Sequence, residues 1–378
     1  MVEGARLESV ITRKGNEGSN PSLSALNLLD TMAELKLRFQ SHHLPLAHTF
    51  TLAHSSRTHT PITFVQLQWG TYVGYGEAAM PPYLSESAET AESFYSSLDF
   101  SWVTSPSDLE KILNYVHSHR SANPAAKAAI DIALHDLHAK RLGIPVHDLF
   151  GLDPRDTPPS SYTIGIHPLD VVHSLLPNTD LFGLIKVKLG GDHDRDTIDL
   201  IRNYTDKPIS VDVNQGWTHK EKALEEIHWL KERGVVYVEQ PMPKETIEDM
   251  QWLSQHSPLP TIADEAVQRL SDLFDLQNRF HGVNIKLMKC TGLREGYLMA
   301  KVAKSLGLKV MIGCMTESSC GIAAAAQLAP LADWVDLDGH FLLAKDPFEG
   351  LGFEDGVVQL GESEGLGVYP KYLSWDDQ

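Results

Sequence analysis

The sequence predicts an α/β protein built around an eight-stranded (β/α) barrel, with a smaller α+β domain in front of it. Eight short strand-like runs recur from Tyr162 onward, with starts roughly 25 residues apart and helical patterns between them. Residues 33–80, by contrast, read as consecutive strands, and helices follow them. An open doubly wound sheet is the competing arrangement. It calls for a glycine fingerprint after its first strand, and the run YTIGIHPLD lacks one.

Taken in order, residues 1–31 show no sustained period and no apolar signal-peptide core. They read as a disordered or non-native leader, with Met32 as the start of translation in the second case. The runs ELKLRFQ, HTFTLA, TPITFVQLQW and TYVGYGEA alternate or are rich in Thr, Val, Tyr and Phe, and Gly70 marks a turn. SPSDLEKILNYVHSH (105–119) predicts a helix capped by Ser105 with Pro106 in its first position. NPAAKAAIDIALHDLHAKRLG (123–143) predicts a long Ala-rich helix with Gly143 just past its end. The barrel strands are YTIGI (162–166), LIKVK (184–188), ISVDV (209–213), VVYVE (235–239), TIAD (261–264), VNIKL (283–287), KVMIG (309–313) and WVDLD (334–338). Helical patterns such as 219–234 and 293–307 lie between them. The expected boundaries are 32–160 for the α+β domain and 161–343 for the barrel.

The 378 residues suffice for one large and one smaller domain, and 42% hydrophobic content points to a globular chain. The formal net charge of -18 argues against nucleic-acid and anionic-membrane partners. It also means that an acidic ligand needs a local cation. Cys290, Cys314 and Cys320 show no paired spacing, which points to a reducing, cytoplasmic setting. No apolar run reaches membrane-spanning length.

Chemistry in such barrels sits at the C-terminal ends of the strands. Strand 2 ends on Lys186 and Lys188, two residues apart and therefore on one face. Strand 3 ends near Asp212, strand 4 on Glu239 and strand 5 on Asp264; strand 6 carries Lys286, and strand 8 carries Asp336 and Asp338. Any one of these is equally well read as part of a structural ion pair. Charges on six of eight strands, all at one end, read as a site. Three carboxylates converging from adjacent strand ends suit a hard cation, Mg²⁺, with one ion per subunit. No histidine or cysteine joins them, which disfavours zinc. His193, His219 and His340 flank strand ends and read as surface or helix-start residues.

Strands four apart in an eight-stranded barrel are opposed, so Lys188 and Lys286 face each other across its mouth. A carbon held between them can lose a proton on one face and regain one on the other. A metal to one side would hold the neighbouring carboxylate and take up the charge of the enediolate. Lys186, a like charge beside Lys188, is expected to lower the pKa of Lys188 and to donate to the enolate oxygen.

This constellation resembles the muconate-lactonizing branch of the enolase superfamily, over about residues 33–368. That branch has a Lys-x-Lys on strand 2, an Asp/Glu/Asp metal triad on strands 3 to 5 and a lysine on strand 6. Lys186/Lys188, Asp212/Glu239/Asp264 and Lys286 match them. The resemblance implies a (β/α)7β TIM-like barrel under an N-terminal α+β capping domain, with segment 344–378 returning to the cap. On strand 8, WVDLDGH puts Asp336 and Asp338 on one face. Asp-x-Asp at this point resembles dipeptide epimerases, where the pair binds the free α-ammonium. IGCMTESS (312–319) fits the same pattern, with Cys314 and Thr316 contacting the peptide backbone and Thr163 lining the same pocket. The mandelate-racemase branch uses a histidine base on strand 7, which KVMIGCM lacks.

The implied activity is that of an isomerase: a Mg²⁺-dependent epimerase acting on the C-terminal residue of a dipeptide. Several such epimerases act on L-Ala-D/L-Glu from murein peptides. An acidic side chain needs a cation in the capping loops. AHSSRTHTP (53–61) offers Arg57, and MPPYL (80–84) is the second loop. Barrels of this family are commonly homo-oligomers. A cycloisomerase or o-succinylbenzoate synthase of the same branch is the alternative, although its substrate would leave Asp336 and Asp338 without an ammonium. A non-catalytic binding barrel is the distant alternative, and it has no use for Lys188 opposite Lys286.

Overall fold

The computed structural model describes residues 33–52, 55–80 and 84–375. The leader expected over 1–31 and the centre of the MPPYL loop lie outside the described residues. The chain begins with an antiparallel meander of β1 (Lys36–Leu52), β2 (Ser55–Trp69) and β3 (Tyr72–Ala79), in that order across the sheet. The predicted strands ELKLRFQ and HTFTLA are one strand, not two. β1 runs through Pro45, and its pairing with β2 shifts register between Pro45 and Phe50. Proline is tolerated because β1 is an edge strand, whose outer N–H groups need no ladder partner. Gly70 makes the predicted turn with φ 59°.

Three helices follow: α1 (Ala88–Tyr95), α2 (Leu109–His119) and α3 (Pro124–Leu142). Ser105 does not cap α2. Its carbonyl accepts the Asp108 N–H at 3.2 Å and its hydroxyl accepts the Ser107 N–H at 3.2 Å, closing a turn, and the helix starts after Asp108. α3 runs as predicted and closes on Gly143 in the left-handed conformation. Its alanines pack on β3 at a separation that only glycine permits. A Cβ on Gly76 would meet the Ala129 carbonyl at 1.9 Å, and one on Gly74 the Ala133 carbonyl at 2.0 Å.

The barrel consists of β4 (Ser161–Ile164), β5 (Leu184–Lys188), β6 (Ile209–Asp212), β7 (Val235–Glu239), β8 (Thr261–Ala263), β9 (Gly282–Lys286), β10 (Lys309–Gly313) and β11 (Trp334–Asp336). They are neighbours in chain order. A parallel bridge between Ser160 and Val335 brings the first strand to the last. All eight predicted strands are present. Helices connect β4 through β11, among them Lys220–Lys231 and Leu293–Ser305 as predicted, whereas β11 is followed by a short 3₁₀ turn, Gly339–Leu342. The architecture is (β/α)7β. Alternation along each strand sends one set of side chains inward, and Leu184, Tyr237, Ile262 and Met311 close the interior with an apolar layer.

The hairpin of β1 and β2 reaches the C-terminal ends of the barrel strands. Leu46 bridges to Leu343, the Thr51 carbonyl accepts the Ile166 N–H at 3.2 Å, and Arg57 Nη2 donates to Thr316 Oγ1 at 2.8 Å. After the barrel the chain lies against the first sheet. Phe348 packs on Phe64 and Tyr75, and Trp375 packs on Tyr75. No helix among the described residues is long and apolar enough to cross a membrane.

Candidate active site

Strand register assembles the site. Lys188 pairs with Asp212 across β5 and β6, and Asp212 with Glu239 across β6 and β7. On the far side Gly313 lies between Lys286 of β9 and Asp336 of β11. Because β5 and β9 are four strands apart in the ring, Lys188 and Lys286 approach the mouth from opposite sides.

Asp212, Glu239 and Asp264 are buried, and one carboxylate oxygen of each lies within 4.8 Å of the others. Lys188 Nζ donates to Asp212 Oδ2 at 2.6 Å, and Lys286 Nζ donates to Asp264 Oδ2 at 2.7 Å. Each opposed lysine therefore rests on one member of the triad. Glu239 Oε1 accepts from Asn284 Nδ2 at 2.7 Å. Gly313 makes room for that amide, since a Cβ there would lie 2.4 Å from Asn284 Oδ1. A fourth lysine beside Lys186, Lys188 and Lys286, unforeseen in the sequence, joins the triad. Lys289 Nζ donates to Asp264 Oδ1 at 2.5 Å and to the carbonyls of Asp264 and Asn284 at 2.7 and 3.0 Å. Those three bonds use all its protons.

Burial opposes the charge of Asp264, yet Lys286 and Lys289 hold its carboxyl well below the usual range. Asp212 is likewise lowered, with Lys188 and Lys186 outweighing its burial. Glu239 goes the other way. Burial, and then the negative charge of Asp212, push it up to about 7. A buried all-oxygen set strained by its own repulsion is what a hard divalent cation relieves, so these three residues fit Mg²⁺. Asn214 and Glu265, also missed in the sequence, flank the set. Asn214 Nδ2 donates to Glu265 Oε1 at 3.2 Å.

Lys186 is fully enclosed. Its Nζ lies 2.7 Å from Asp336 Oδ2, 2.6 Å from Glu239 Oε2 and 3.3 Å from Asp212 Oδ2. Desolvation lowers its proton affinity, but Asp336, Glu239 and Asp212 together raise it well above the usual lysine value. Lys186 is thus the shared counter-charge of Asp336, Glu239 and Asp212.

Asp336 and Asp338 are brought together but are not equivalent. Asp336 takes Lys186 on Oδ2 and the Ser161 hydroxyl on Oδ1 at 2.7 Å. Its burial is outweighed by Lys186, which lowers its pKa. Asp338 Oδ2 accepts the Thr163 backbone N–H at 2.5 Å. Burial and the charge of Asp336 push Asp338 up to about 7. Thr163 thus reaches the pair by its main chain and by its hydroxyl, whose Oγ1 lies 3.5 Å from Asp336 Oδ1. Thr316 is buried under Arg57, and Cys314, next to Gly339, has its thiol pushed well up by burial. His193 and His219 are at helix starts as expected. His340 is at the start of the 3₁₀ turn Gly339–Leu342 and is partly exposed. Its ring packs against Phe341, and burial lowers its pKa to about 4.

Two amines on opposite sides of a mouth, a cation site between them and a carboxylate pair at the eighth strand can remove and return a proton on a bound, charged molecule. Residues 35–151 match the family described as mandelate racemase / muconate lactonizing enzyme, N-terminal domain, and residues 175–372 match the enolase C-terminal domain-like family. The chain belongs to this enolase-like mandelate racemase / muconate lactonizing enzyme family. It is 47% identical over 349 residues to the L-Ala-D/L-Glu epimerase of Bacteroides thetaiotaomicron, covering 92% of this chain and 91% of that one. It is 38% identical to the L-Ala-D/L-amino acid epimerase of Pedosphaera parvula, over 88% of this chain and 99% of that one. Among solved structures, the dipeptide epimerase of Methylococcus capsulatus, complexed with Mg and L-Arg-D-Lys, superposes with a TM-score of 0.81 at 30% identity. That match covers 89% of this chain and 99% of the other.

Proposed function

We propose that this chain is a Mg²⁺-dependent dipeptide epimerase, an isomerase that inverts the α-carbon of the C-terminal residue of L-Ala-D/L-Glu. The observation that carries the reading is the placement of Lys188 and Lys286 on opposed strands, at 2.6 and 2.7 Å from two carboxylates of one metal-binding triad. Asp212, Glu239 and Asp264 would hold the ion, which when bound supplies Lewis-acid charge to the substrate carboxylate. Lys188 and Lys286 each serve one face of the α-carbon, one removing the proton and the other returning one. Asp338, with Asp336 beside it, takes the α-ammonium, an ion that a cycloisomerase substrate lacks. Cys314, Thr316 and Thr163 border the peptide backbone. Arg57, already at Thr316, supplies the cation for the glutamate side chain in a chain of net charge -18.

In this reading residues 32–160, joined by 344–378, cap the barrel of 161–343, and murein turnover supplies the dipeptide in the cytoplasm. The test is proton NMR of L-Ala-D-Glu and L-Ala-L-Glu in heavy water with Mg²⁺. Both isomers should converge on one mixture, with deuterium only at the glutamate α-carbon. Label at the alanine carbon, or no exchange in either isomer, would remove the proposal.

A further inference from the structure

A second pair of buried carboxyls lies where the first sheet meets the barrel, close enough to the charged strand ends that the ammonium of Lys286 acts on Glu317. Glu77 on β3 is fully buried. Its Oε1 accepts the Ser318 N–H at 2.8 Å, and its Oε2 accepts the Gly321 N–H at 3.0 Å together with the Ser318 hydroxyl. These amides belong to the first turn of the helix Ser319–Ala326, where a helix leaves its donors unsatisfied. A carboxylate from another part of the chain therefore adds to the helix's own N-cap, Ser318, whose hydroxyl accepts the Cys320 N–H at 3.2 Å.

Glu317 is buried next to it. Its Oε1 accepts the Met315 N–H at 2.7 Å, and its Oε2 lies where a Cβ on Gly321 would be 2.4 Å away. The segment from Cys314 to Ser318 is thus tied at every point. β10 holds its start through Gly313, Glu317 folds back on Met315, Arg57 reaches Thr316, and Glu77 fixes Ser318. Two of these four ties come from the first sheet.

We propose that Glu77 is a positioning residue for the reaction, acting through the Cys314–Ser318 segment to hold Thr316 where it meets the dipeptide backbone. The proposal rests on the epimerase reading of the site. Glu77 makes its hydrogen bonds to Ser318 and Gly321, not to the lysines or the triad, so it governs substrate binding rather than proton transfer. A glutamine cannot replace it. Its amide nitrogen would face a backbone N–H, donor against donor, whichever way it turned.

The experiment uses Glu77→Gln in the full chain. KM for L-Ala-D-Glu should rise about tenfold while kcat stays within about twofold. Hydrogen exchange, read without dipeptide, should quicken in peptides covering 314–322 and stay unchanged in α3. In a Thr316→Val background the Glu77→Gln effect on KM should shrink below about twofold, because the contact it protects is already gone. An unchanged KM overturns the proposal. So does a loss of kcat in step with the folded fraction, or a full multiplication of the two effects. Should the wild type prove inactive on dipeptides, the epimerase reading falls, and the exchange measurement alone still decides whether Glu77 clamps the segment. If Glu77→Gln does not fold, Ser318→Ala removes one donor from the other side. It should move KM and exchange in the same direction, and no change in either refutes the clamp.

Discussion

Lys186 and Asp336 form a buried ion pair, Nζ to Oδ2 at 2.7 Å, that ties the second barrel strand to the eighth. The same ammonium lies 2.6 Å from Glu239 Oε2. It is shared by three carboxylates, Asp336, Glu239 and Asp212. Lys186→Met should therefore cost more than a binding contact. Removing one partner of a buried ion pair destabilises by about 3–5 kcal/mol, and three carboxylates lose their counter-charge here. Urea unfolding of the variant without metal is the measurement. Stability equal to the wild type would show that Lys186 is a substrate ligand only.

Metal binding should carry a proton signature. Burial and Asp212 raise Glu239 to about 7, so below that pH it holds a proton that an incoming Mg²⁺ must displace. The sign follows: apparent Mg²⁺ affinity increases as pH rises, and levels off above about 7. The Mg²⁺-induced gain in melting temperature should grow between about pH 5 and 8 accordingly. Titration calorimetry in two buffers of different ionisation enthalpy reads the released proton directly. Chelation should abolish turnover. Asp212→Asn, Glu239→Gln and Asp264→Asn should each be severely impaired. Full activity in excess chelator excludes the metal role.

The two aspartates of the eighth strand should separate on mutation. Asp338, raised to about 7 by burial and by Asp336, must be ionised to bind an ammonium, so KM for a dipeptide should fall as pH rises through that value. Asp338→Asn should raise KM with little loss of stability. Asp336→Asn should also destabilise the fold, because Asp336 holds Lys186 and Ser161. N-acetyl-Ala-Glu should be a poor substrate for the wild type. Turnover equal to that of Ala-Glu would contradict ammonium recognition.

The barrel was legible because each strand carries β-branched residues and six of the eight a charge near the C-terminal end, at a spacing that a strand–helix repeat produces. The triad and both opposed lysines followed from that frame. The first sheet was less legible. Pro45 reads as a strand break, and only its position on an edge lets β1 continue through it. Ser105 followed by proline has the composition of a helix cap, yet its oxygens close a turn instead. Lys289 and Glu77 were not legible as site residues. Each sits among apolar neighbours, and its partners, Asp264 for one and Ser318 with Gly321 for the other, are fixed by tertiary packing.

Arg57 gives the side-chain prediction. It stands opposite Phe50 in the hairpin and donates to Thr316 at 2.8 Å, so it reaches the barrel mouth from the first sheet. Arg57→Ala should lower kcat/KM for Ala-Glu about tenfold or more, since charge-assisted bonds contribute about 1.5–3 kcal/mol. Ala-Leu and Ala-Met should be affected far less. An equal loss across all three dipeptides would make Arg57 a support for Thr316 and not a ligand of the glutamate.

The opposed lysines supply the last prediction. Lys188 and Lys286 rest on Asp212 and Asp264 from opposite sides of the mouth, so neither can reach both faces of one carbon. Inversion then requires both, and Lys188→Ala and Lys286→Ala should each abolish epimerisation. Exchange is a different matter. The remaining lysine can still remove a proton from its own face and return a solvent deuteron to the same face. In the proposed mechanism Lys188 is expected to serve the R centre and Lys286 the S centre. Lys286→Ala should therefore exchange only L-Ala-D-Glu, and Lys188→Ala only L-Ala-L-Glu. Proton NMR in heavy water distinguishes the cases. Epimerisation surviving in either variant ends the two-base mechanism. A reversed isomer preference keeps the mechanism and exchanges the two faces.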